Sequence, residues 1–313
     1  MNRSISQAPE ADLSRCAIHY SFIKMTYSEI QYETLGPVTV IRFNRPEVRN
    51  CIGPTTHQEL VDAWTRFRDD EQALVAVITG AGDLSFSTGG DLKAGIENLP
   101  HTPAEIAAHN RGERPGILGP SRWTDIYKPV IAAVNGTAYA GGLEWACFAD
   151  IRIAEEHASF GVTCRRWNIG LADGGTQRLP RIVGLGRAME MILTGRVVQV
   201  QEALSIGLVN EVVPKGQSFK RALELAQFIA SLPQQALRTD KEAAIRGFGL
   251  PLHEGLRIEA ECFNRSIHHR DTVEGLRRFN ERDHPDRRPD QQARTPGIVR
   301  GQDAAPGNGP DPA

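Results

Sequence analysis

The stretch that decides the fold is KPVIAAVNGTAYAGGLEWACFADIRIAEEHASFG, residues 128–161. Its first half is an apolar, β-branched run, which predicts a buried strand, and the run ends in a double glycine, which predicts a tight turn. The letters LEWACFAD then predict a helix, and IRIAEEHASFG predicts further strand segments. This order indicates an α/β fold in which a glycine turn opens a helix.

The same order of elements occurs upstream. The segments SEIQYETL and VTVIRF predict two strands joined by a turn at Gly36 and Pro37. The segment PTTHQELVDAWTRFRDDEQ has apolar residues at helical spacing, with Thr55 or Thr56 as the expected N-cap, and ALVAVITGAG predicts the next strand. We therefore expect repeated strand-strand-helix turns.

The pattern changes after Pro214, where four segments with helical periodicity follow one another. We therefore expect a spiral core over residues 26–214 and a helical region over residues 215–283. Residues 1–25 are polar and unpatterned, and residues 284–313 are rich in Pro, Gly and Asp. Both ends are predicted to be disordered, because such segments cannot bury enough apolar surface to fold.

Composition excludes several classes of protein. A net charge of -2 gives no basic field for nucleic acid or for an anionic membrane. No apolar run reaches the roughly 18 residues of a membrane span, and the N-terminal segment lacks the apolar core of a secretory signal. Five widely spaced cysteines without a CxxC pair indicate free thiols in a reducing cytoplasm and no metal site.

Two glycine turns stand out once familiar motifs are set aside, because the chain has no P-loop, no G-x-S-x-G elbow and no dinucleotide fingerprint. Gly89 and Gly90 lie in FSTGGDLKAG, and Gly141 and Gly142 lie in AYAGGLEWACFAD. Either pair alone is compatible with an ordinary turn. At the start of a helix, however, bare backbone and the helix dipole favour negative charge. Two such N–H groups aimed at one point form an oxyanion hole.

Glu144 is the acid nearest to the second glycine turn. It lies three residues past Gly141, in the first helical turn, and helical side chains lean toward the N-terminus. Its carboxylate is therefore expected beside the glycines, although a first-turn acid can also simply complement the helix dipole. Trp145 and Cys147 are predicted to be core residues of the same helix.

Three stretches together resemble the crotonase superfamily, the enoyl-CoA hydratase/isomerase family. They are LVAVITGAGDLSFSTGGDLKAG, the stretch quoted at the outset, and GGTQRLPRIVGLGRAMEMILTGRVVQVQEALSIGLVNEVVP. The resemblance covers about residues 26–283. It implies an α/β, crotonase-like spiral of β-β-α turns with a C-terminal helical trimerisation region, assembled as a homotrimer or as a hexamer (a dimer of trimers). It also implies an acyl-CoA thioester substrate and an enolate-like intermediate.

The resemblance assigns roles to individual residues. The family's two oxyanion N–H groups correspond to Gly90 and Gly141, and its first catalytic glutamate corresponds to Glu144. The residues implied to bind the CoA thioester are Gly90, Asp91, Leu92, Lys93 and Gly141. No separate cofactor is expected, since coenzyme A is part of the substrate.

The loop over residues 160–180 departs from the family pattern, because the second catalytic glutamate corresponds to Cys164. A thiol is a poor acid-base group near neutral pH unless its pKa is shifted. Arg165 and Arg166 could lower that pKa, or Cys164 could be a small filler. Asp173 is the loop's only acid, and some superfamily members place a functional aspartate within about one residue of this position. We predict that Asp173 is the second catalytic acid; the alternative is a structural turn acid.

The leading hypothesis is a cytoplasmic enzyme that hydrates a 2-enoyl-CoA to a 3-hydroxyacyl-CoA. One alternative is isomerisation, hydrolysis or lyase chemistry on an unusual acyl-CoA. Another is a non-catalytic member that binds CoA thioesters or RNA; the mild net charge argues against RNA, and Glu144 beside the glycine pair argues against lost catalysis. Residues 96–123, rich in Pro and Gly, are expected to line the acyl pocket and to select the acyl chain.

Overall fold

The strands form two β-sheets, and from the third to the eighth strand the chain alternates between them. The computed structural model describes residues 27–94 and 102–282. The strands in these ranges are β1 (Ile30–Leu35), β2 (Val38–Phe43), β3 (Val75–Gly80), β4 (Ser85–Ser87), β5 (Val130–Val134), β6 (Thr137–Tyr139), β7 (Ile151–Glu155), β8 (Ser159–Gly161), β9 (Val197–Gln199) and β10 (Glu211–Val213). The larger sheet has the order β1-β2-β3-β5-β7-β10 and the smaller one β4-β6-β8-β9.

Helices lie between the strands and after the last of them. They are α1 (Pro54–Asp69), α2 (Pro103–Asn110), α3 (Gly141–Phe148), α4 (Gly175–Val183), α5 (Leu185–Thr194), α6 (Val200–Ser205), α7 (Ser218–Ala230), α8 (Gln234–Gly247), α9 (Leu252–Ile267) and α10 (Arg270–Arg282). Three consecutive pairs of strands, β3 with β4, β5 with β6 and β7 with β8, each have their first strand in the larger sheet and their second strand in the smaller sheet. Each pair therefore forms one turn of a spiral. The predicted α/β spiral of β-β-α turns is confirmed.

The apolar strands are continuous because the larger sheet is covered on both faces. In β3, Val75 and Val77 face the apolar cluster that includes α7, whereas Ala76 and Ile78 face the main core shared with α1 and α3. Neighbouring strands β2, β3, β5 and β7 pair in parallel. Burial on both faces thus explains why the sequences of these strands are uninterrupted runs of apolar residues.

Two local expectations were wrong. Helix α1 begins at Pro54 with Gly53 as the N-cap, because proline suits a first helical position whose N–H needs no acceptor. Thr56 instead acts from inside the helix, where its Oγ1 accepts a hydrogen bond from the N–H of Gly53 at 3.2 Å. The run starting at Pro129 also divides into β5 and β6, and at the break Asn135 Oδ1 accepts the N–H of Gly80 at 3.1 Å.

The C-terminal helices divide into two groups. Helix α7 packs on β3, β5 and β7, whereas α8 and α9 pack on each other and α10 contacts α9. None of the helices in the described ranges has the length and apolarity to cross a membrane. The predicted disordered ends, residues 1–25 and 284–313, lie outside the described residues, and the limits 26–214 and 215–283 stay predictions.

Candidate active site

One cavity of about 680 Å³ is lined by all the residues that the sequence predicts to bind substrate or to act in catalysis. Its lining includes Gly90, Asp91, Leu92, Lys93, Gly141, Glu144, Cys164 and Asp173. These residues come from three separate parts of the chain: the turn after β4, the start of α3, and the loop between β8 and α4. The structure therefore brings the two glycine turns and both candidate carboxylates to a single site.

The start of α3 presents a backbone donor to this cavity. Ala140 precedes the helix with φ 50° and ψ -120°, a region that costs a non-glycine residue about 1–3 kcal/mol. Gly141 is the first helical residue, so its N–H has no acceptor within the helix. The strained peptide at Ala140 thus turns the chain so that the helix begins at the cavity wall.

The turn after β4 supplies a second donor. The C=O of Gly89 and the N–H of Asp91 both pair with Ile52, at 2.8 and 2.9 Å. The N–H of Gly89 donates to Ser87 Oγ at 3.1 Å. Within the described part of the chain, the N–H of Gly90 is left without an acceptor, between two neighbours that are fixed.

The two glycine turns touch through bare backbone. Gly89 has φ +85°, and a Cβ added there would lie 2.5 Å from the nitrogen of Gly141. A Cβ on Gly142 would lie 1.9 Å from the carbonyl oxygen of Ser87. Only glycine permits this approach, which brings the turn that carries Gly90 against the start of the helix at Gly141.

Glu144 is held at the cavity by two backbone donors. Its Oε1 accepts the N–H of Asp173 at 2.9 Å and that of Gly175 at 2.8 Å. The side chain is only 2% exposed. Burial, followed by the neighbouring charge of Asp173, raises the pKa of Glu144 to about 7, although the two N–H groups oppose the rise. A carboxylate with such a pKa can both accept and return a proton near neutral pH.

Asp173 is buried to the same extent and is likewise anchored through one oxygen. Its Oδ1 accepts the N–H of Leu118 at 3.0 Å and the O–H of Ser121 at 2.5 Å. Burial raises the pKa of Asp173, while the Ser121 hydroxyl and the N–H groups of Leu118 and Ile117 oppose the rise. Two carboxylates with raised pKa values therefore share the cavity, connected through the peptide N–H of Asp173.

Cys164 lies on a short 3-10 helix, Thr163–Trp167, and is buried. Burial and the charge of Glu144 raise the pKa of its thiol, and Arg165 opposes them only in part. The guanidinium of Arg165 points elsewhere, since its Nε donates to the carbonyl of Ile192 at 3.2 Å. Arg165 lowers this pKa by less than burial and Glu144 raise it, so the suggested net lowering is wrong and the thiol of Cys164 stays protonated at neutral pH.

Asp91 braces the turn that carries Gly90. Its Oδ2 accepts a hydrogen bond from Arg45 Nη1 at 3.1 Å, and its Oδ1 accepts the N–H of Lys93 at 3.1 Å. The side chains of Leu92 and Lys93 are exposed at the cavity rim. Both can therefore meet a ligand, whereas the carboxylate of Asp91 is engaged with the protein.

Sequence reasoning missed Ser121 and Leu118, the partners of Asp173. Both lie within the segment expected to line the acyl pocket, and Ile117 and Leu118 do line the cavity. No local pattern distinguishes Ser121, because a serine after a proline reads as a turn residue. Among the described residues no cluster of three or more His, Cys, Asp or Glu side chains could hold a metal ion.

Comparison with known proteins shows which protein family has this sequence and fold. The family model for enoyl-CoA hydratase/isomerase matches residues 33–288. The solved structure of an enoyl-CoA hydratase from Bacillus anthracis is 36% identical with a TM-score of 0.71, and the match covers 82% of this chain and 97% of that one. Fold and site together define a protein of the crotonase class. The chain belongs to the enoyl-CoA hydratase/isomerase family.

Individual relatives differ in the acyl group that their names give. The (E)-benzylidenesuccinyl-CoA hydratase of Thauera aromatica is 36% identical over 256 residues, which cover 82% of this chain and 97% of that protein. The crotonyl-CoA hydratase of Syntrophomonas wolfei is 37% identical over 261 residues, with the same coverage. The carnitinyl-CoA dehydratase of Salmonella typhi is 36% identical over 254 residues, which cover 80% of this chain and 94% of that protein.

Proposed function

We propose that this protein hydrates a 2-enoyl-CoA to a 3-hydroxyacyl-CoA. The observation that carries the proposal is the shared cavity, where Glu144 and Asp173 lie buried beside the paired donors of Gly90 and Gly141. The relatives named as hydratases of crotonyl-CoA and of (E)-benzylidenesuccinyl-CoA support this reaction class. The proposal requires no separate cofactor, since the thioester itself carries the electron-accepting carbonyl.

The thioester oxygen accepts hydrogen bonds from the N–H groups of Gly90 and Gly141. Glu144 takes a proton from water as the water oxygen bonds to C3, and the C2–C3 π electrons move into the thioester as an enolate. Asp173, whose pKa is raised by burial, donates a proton to C2 from its protonated form. One proton then passes between the two carboxylates to reset the site. Loss of a single oxyanion donor typically costs about 100- to 1000-fold in rate, so the glycine pair is a major catalytic element.

The turn over residues 90–93 is proposed to hold the CoA part of the substrate. Its backbone is fixed by the contacts of Asp91, and Leu92 and Lys93 are exposed at the rim. Leu92 offers an apolar surface for a base or pantetheine chain, and Lys93 offers a cation for a phosphate.

Double-bond isomerisation is the second candidate. It needs only one carboxylate, and one observation favours it: the Oδ1 of Asp173 is already occupied by Leu118 and Ser121. In the isomerase reaction Asp173 would hold the loop in place through these hydrogen bonds, and Glu144 alone would move a proton between two carbon atoms of the substrate.

Turnover of crotonyl-CoA and of 3-enoyl-CoA thioesters by the wild-type protein separates the two reactions. Hydration predicts loss of the enoyl thioester absorbance and a 3-hydroxyacyl product by mass spectrometry. Acetoacetyl-CoA should also raise the Tm by mass action. Conversion of 3-enoyl to 2-enoyl thioesters without hydration would establish the isomerase instead, and a Tm unchanged at saturating acetoacetyl-CoA would contradict both.

We further propose that the chain works as a cytoplasmic homotrimer or dimer of trimers. Helices α9 and α10 carry large apolar side chains that a single chain leaves exposed: Leu252, Leu256, Phe263, Val273, Leu276 and Phe279. Apolar surface of this extent typically becomes buried against another subunit. The described cysteines are unpaired, as expected in a reducing compartment.

The oligomer proposal is tested by light scattering during size-exclusion chromatography. Leu256→Asp places a charge on the apolar face of α9 and should reduce the mass to smaller species. Arg257→Ala, at an exposed position about 100° around the helix from Leu256, is the matched control and should leave the mass unchanged. A monomeric wild-type protein, or an assembly that ignores Leu256→Asp, contradicts the proposal.

A further inference from the structure

Leu118 lies between the two glycine turns and the carboxylate of Asp173. Its N–H donates to Asp173 Oδ1 at 3.0 Å, and its C=O accepts the indole N–H of Trp145 at 2.9 Å. Its side chain is buried but lines the cavity. The backbone of Leu118 therefore lies beside a candidate catalytic carboxylate.

The isobutyl group of Leu118 reaches from there to both oxyanion glycines. A Cβ on Gly141 would lie 2.0 Å from Leu118 Cδ1, and a Cβ on Gly90 would lie 3.4 Å from Cδ2. The two methyl groups thus cover the Cα atoms of the residues whose N–H groups face the thioester oxygen. Leu118 spans the distance from the carbonyl-binding donors to the carboxylates.

The loop cannot withdraw easily from this position. The N–H of Gly119 donates to His57 Nδ1 at 2.8 Å, and the carbonyl of Ser121 accepts from Arg178 Nη1 at 2.5 Å. A Cβ on Gly119 would lie 2.9 Å from Leu60 Cβ, so the loop backbone is packed directly on α1. A substrate that needs more room beside Leu118 must therefore displace a fixed side chain.

We propose that Leu118 makes the enzyme selective for acyl groups without a branch at C2. This inference rests on the proposed hydration reaction. With the thioester oxygen on Gly90 and Gly141 and C3 directed at the carboxylates, C2 lies between them, next to the Leu118 methyl groups. A methyl substituent on C2 lies in the plane of the conjugated thioester and meets these methyl groups. An apolar pocket typically discriminates one such group by about 10- to 200-fold.

The test is the ratio of kcat/KM for crotonyl-CoA to kcat/KM for 2-methylcrotonyl-CoA. Wild type should favour crotonyl-CoA by about 10-fold or more. Leu118→Ala should reduce the ratio at least about tenfold, mainly by raising turnover of the branched substrate, and Leu118→Val should reduce it partly. Leu179→Ala is the matched control: it removes the same side-chain atoms from a buried leucine that does not line the cavity, and it should leave the ratio as in wild type.

The outcomes separate this inference from the reaction on which it rests. A wild-type ratio near one, or a ratio that neither Leu118→Val nor Leu118→Ala lowers, overturns the role of Leu118 while hydration stands. Equal changes in Leu118→Ala and Leu179→Ala also overturn it, because the effect is then general loosening of the core. Wild type that hydrates neither thioester contradicts the proposed function itself. Leu118→Val keeps most of the side chain, so it reports selectivity even if the alanine variant folds poorly.

Discussion

The two walls of the cavity are built on different principles. The glycine wall, residues 87–91 and 140–144, is made of backbone in direct contact, and its geometry depends on missing Cβ atoms. The loop wall, residues 163–173, is made of side chains, and Trp167 on it is 70% exposed. The first wall is proposed to supply the N–H donors that act on the thioester carbonyl. The second wall holds Cys164 and the proposed second acid, Asp173, so the two walls differ in construction and in proposed role.

The largest expected effect is on the glycine wall. Glu144→Gln keeps an oxygen that can accept the N–H groups of Asp173 and Gly175 but removes the base. We expect kcat to fall by about 100- to 10,000-fold with the circular dichroism unchanged. Loss of the fold instead would mean that the carboxylate is needed for structure. Activity within a few-fold of wild type would remove Glu144 from the mechanism.

The pH profile should report the same carboxylate. Because burial raises the pKa of Glu144 to about 7, kcat/KM should fall about tenfold per pH unit below that value as the base becomes protonated. The raised pKa also has a consequence for stability: the native state binds this proton more tightly than the unfolded chain. Stability from this group is therefore present at pH values below its ordinary value near 4.5 and is lost as the pH rises through about 7.

Thermal unfolding of Glu144→Gln and wild type from pH 5 to pH 8 tests that sign. The Tm of the variant minus the Tm of wild type should increase as the pH rises, because glutamine never carries the buried charge. A constant difference in Tm across this range would show that the pKa of Glu144 is not raised.

A smaller effect is expected where the loop wall is anchored. Ser121→Ala removes the hydroxyl that donates to Asp173 at 2.5 Å. A hydrogen bond of about 1 kcal/mol corresponds to roughly fivefold in rate. The Ser121 bond also lowers the pKa of Asp173, so its loss should move the pH limb that depends on Asp173 upward. Ser121→Thr should restore both values, and a rate change without any movement of the pH profile would indicate general damage to the loop.

The smallest effect concerns strain at Ala140. Ala140→Gly relieves a backbone cost of about 1–3 kcal/mol and adds unfolded-state entropy of about 0.4–1 kcal/mol, so the Tm should rise slightly. The rate should fall by less than about tenfold, because the Gly141 donor becomes less rigid. The control Ala107→Gly, in helix α2, should lower the Tm, as glycine does in a helix. A lower Tm for Ala140→Gly would show that Ala140 is not strained.

The backbone contacts of the glycine wall could be predicted from the sequence, and the anchors of the loop wall could not, for a physical reason. Close contact of two backbones requires glycine, so the positions of Gly89 and Gly142 can be recognised in the sequence. Helical spacing then predicts that the side chain of Glu144 lies next to them. The anchors of Asp173 are instead a backbone N–H and a hydroxyl more than fifty residues away in the chain, at Leu118 and Ser121. No periodicity encodes such a contact.

The central claim is that Asp173, and not Cys164, is the second acid-base group of the site, and it can be tested directly. Cys164→Ser and Asp173→Asn are compared on the same 2-enoyl-CoA, with circular dichroism and oligomeric mass measured for both variants. A buried carboxylic acid with a raised pKa can protonate C2, whereas a neutral buried thiol cannot do so efficiently. We predict that Cys164→Ser keeps most of its activity and that Asp173→Asn loses at least about 100-fold in kcat with its fold intact. An inactive Cys164→Ser beside a normally active Asp173→Asn would contradict the assignment, and two active variants would leave Glu144 as the only acid-base group.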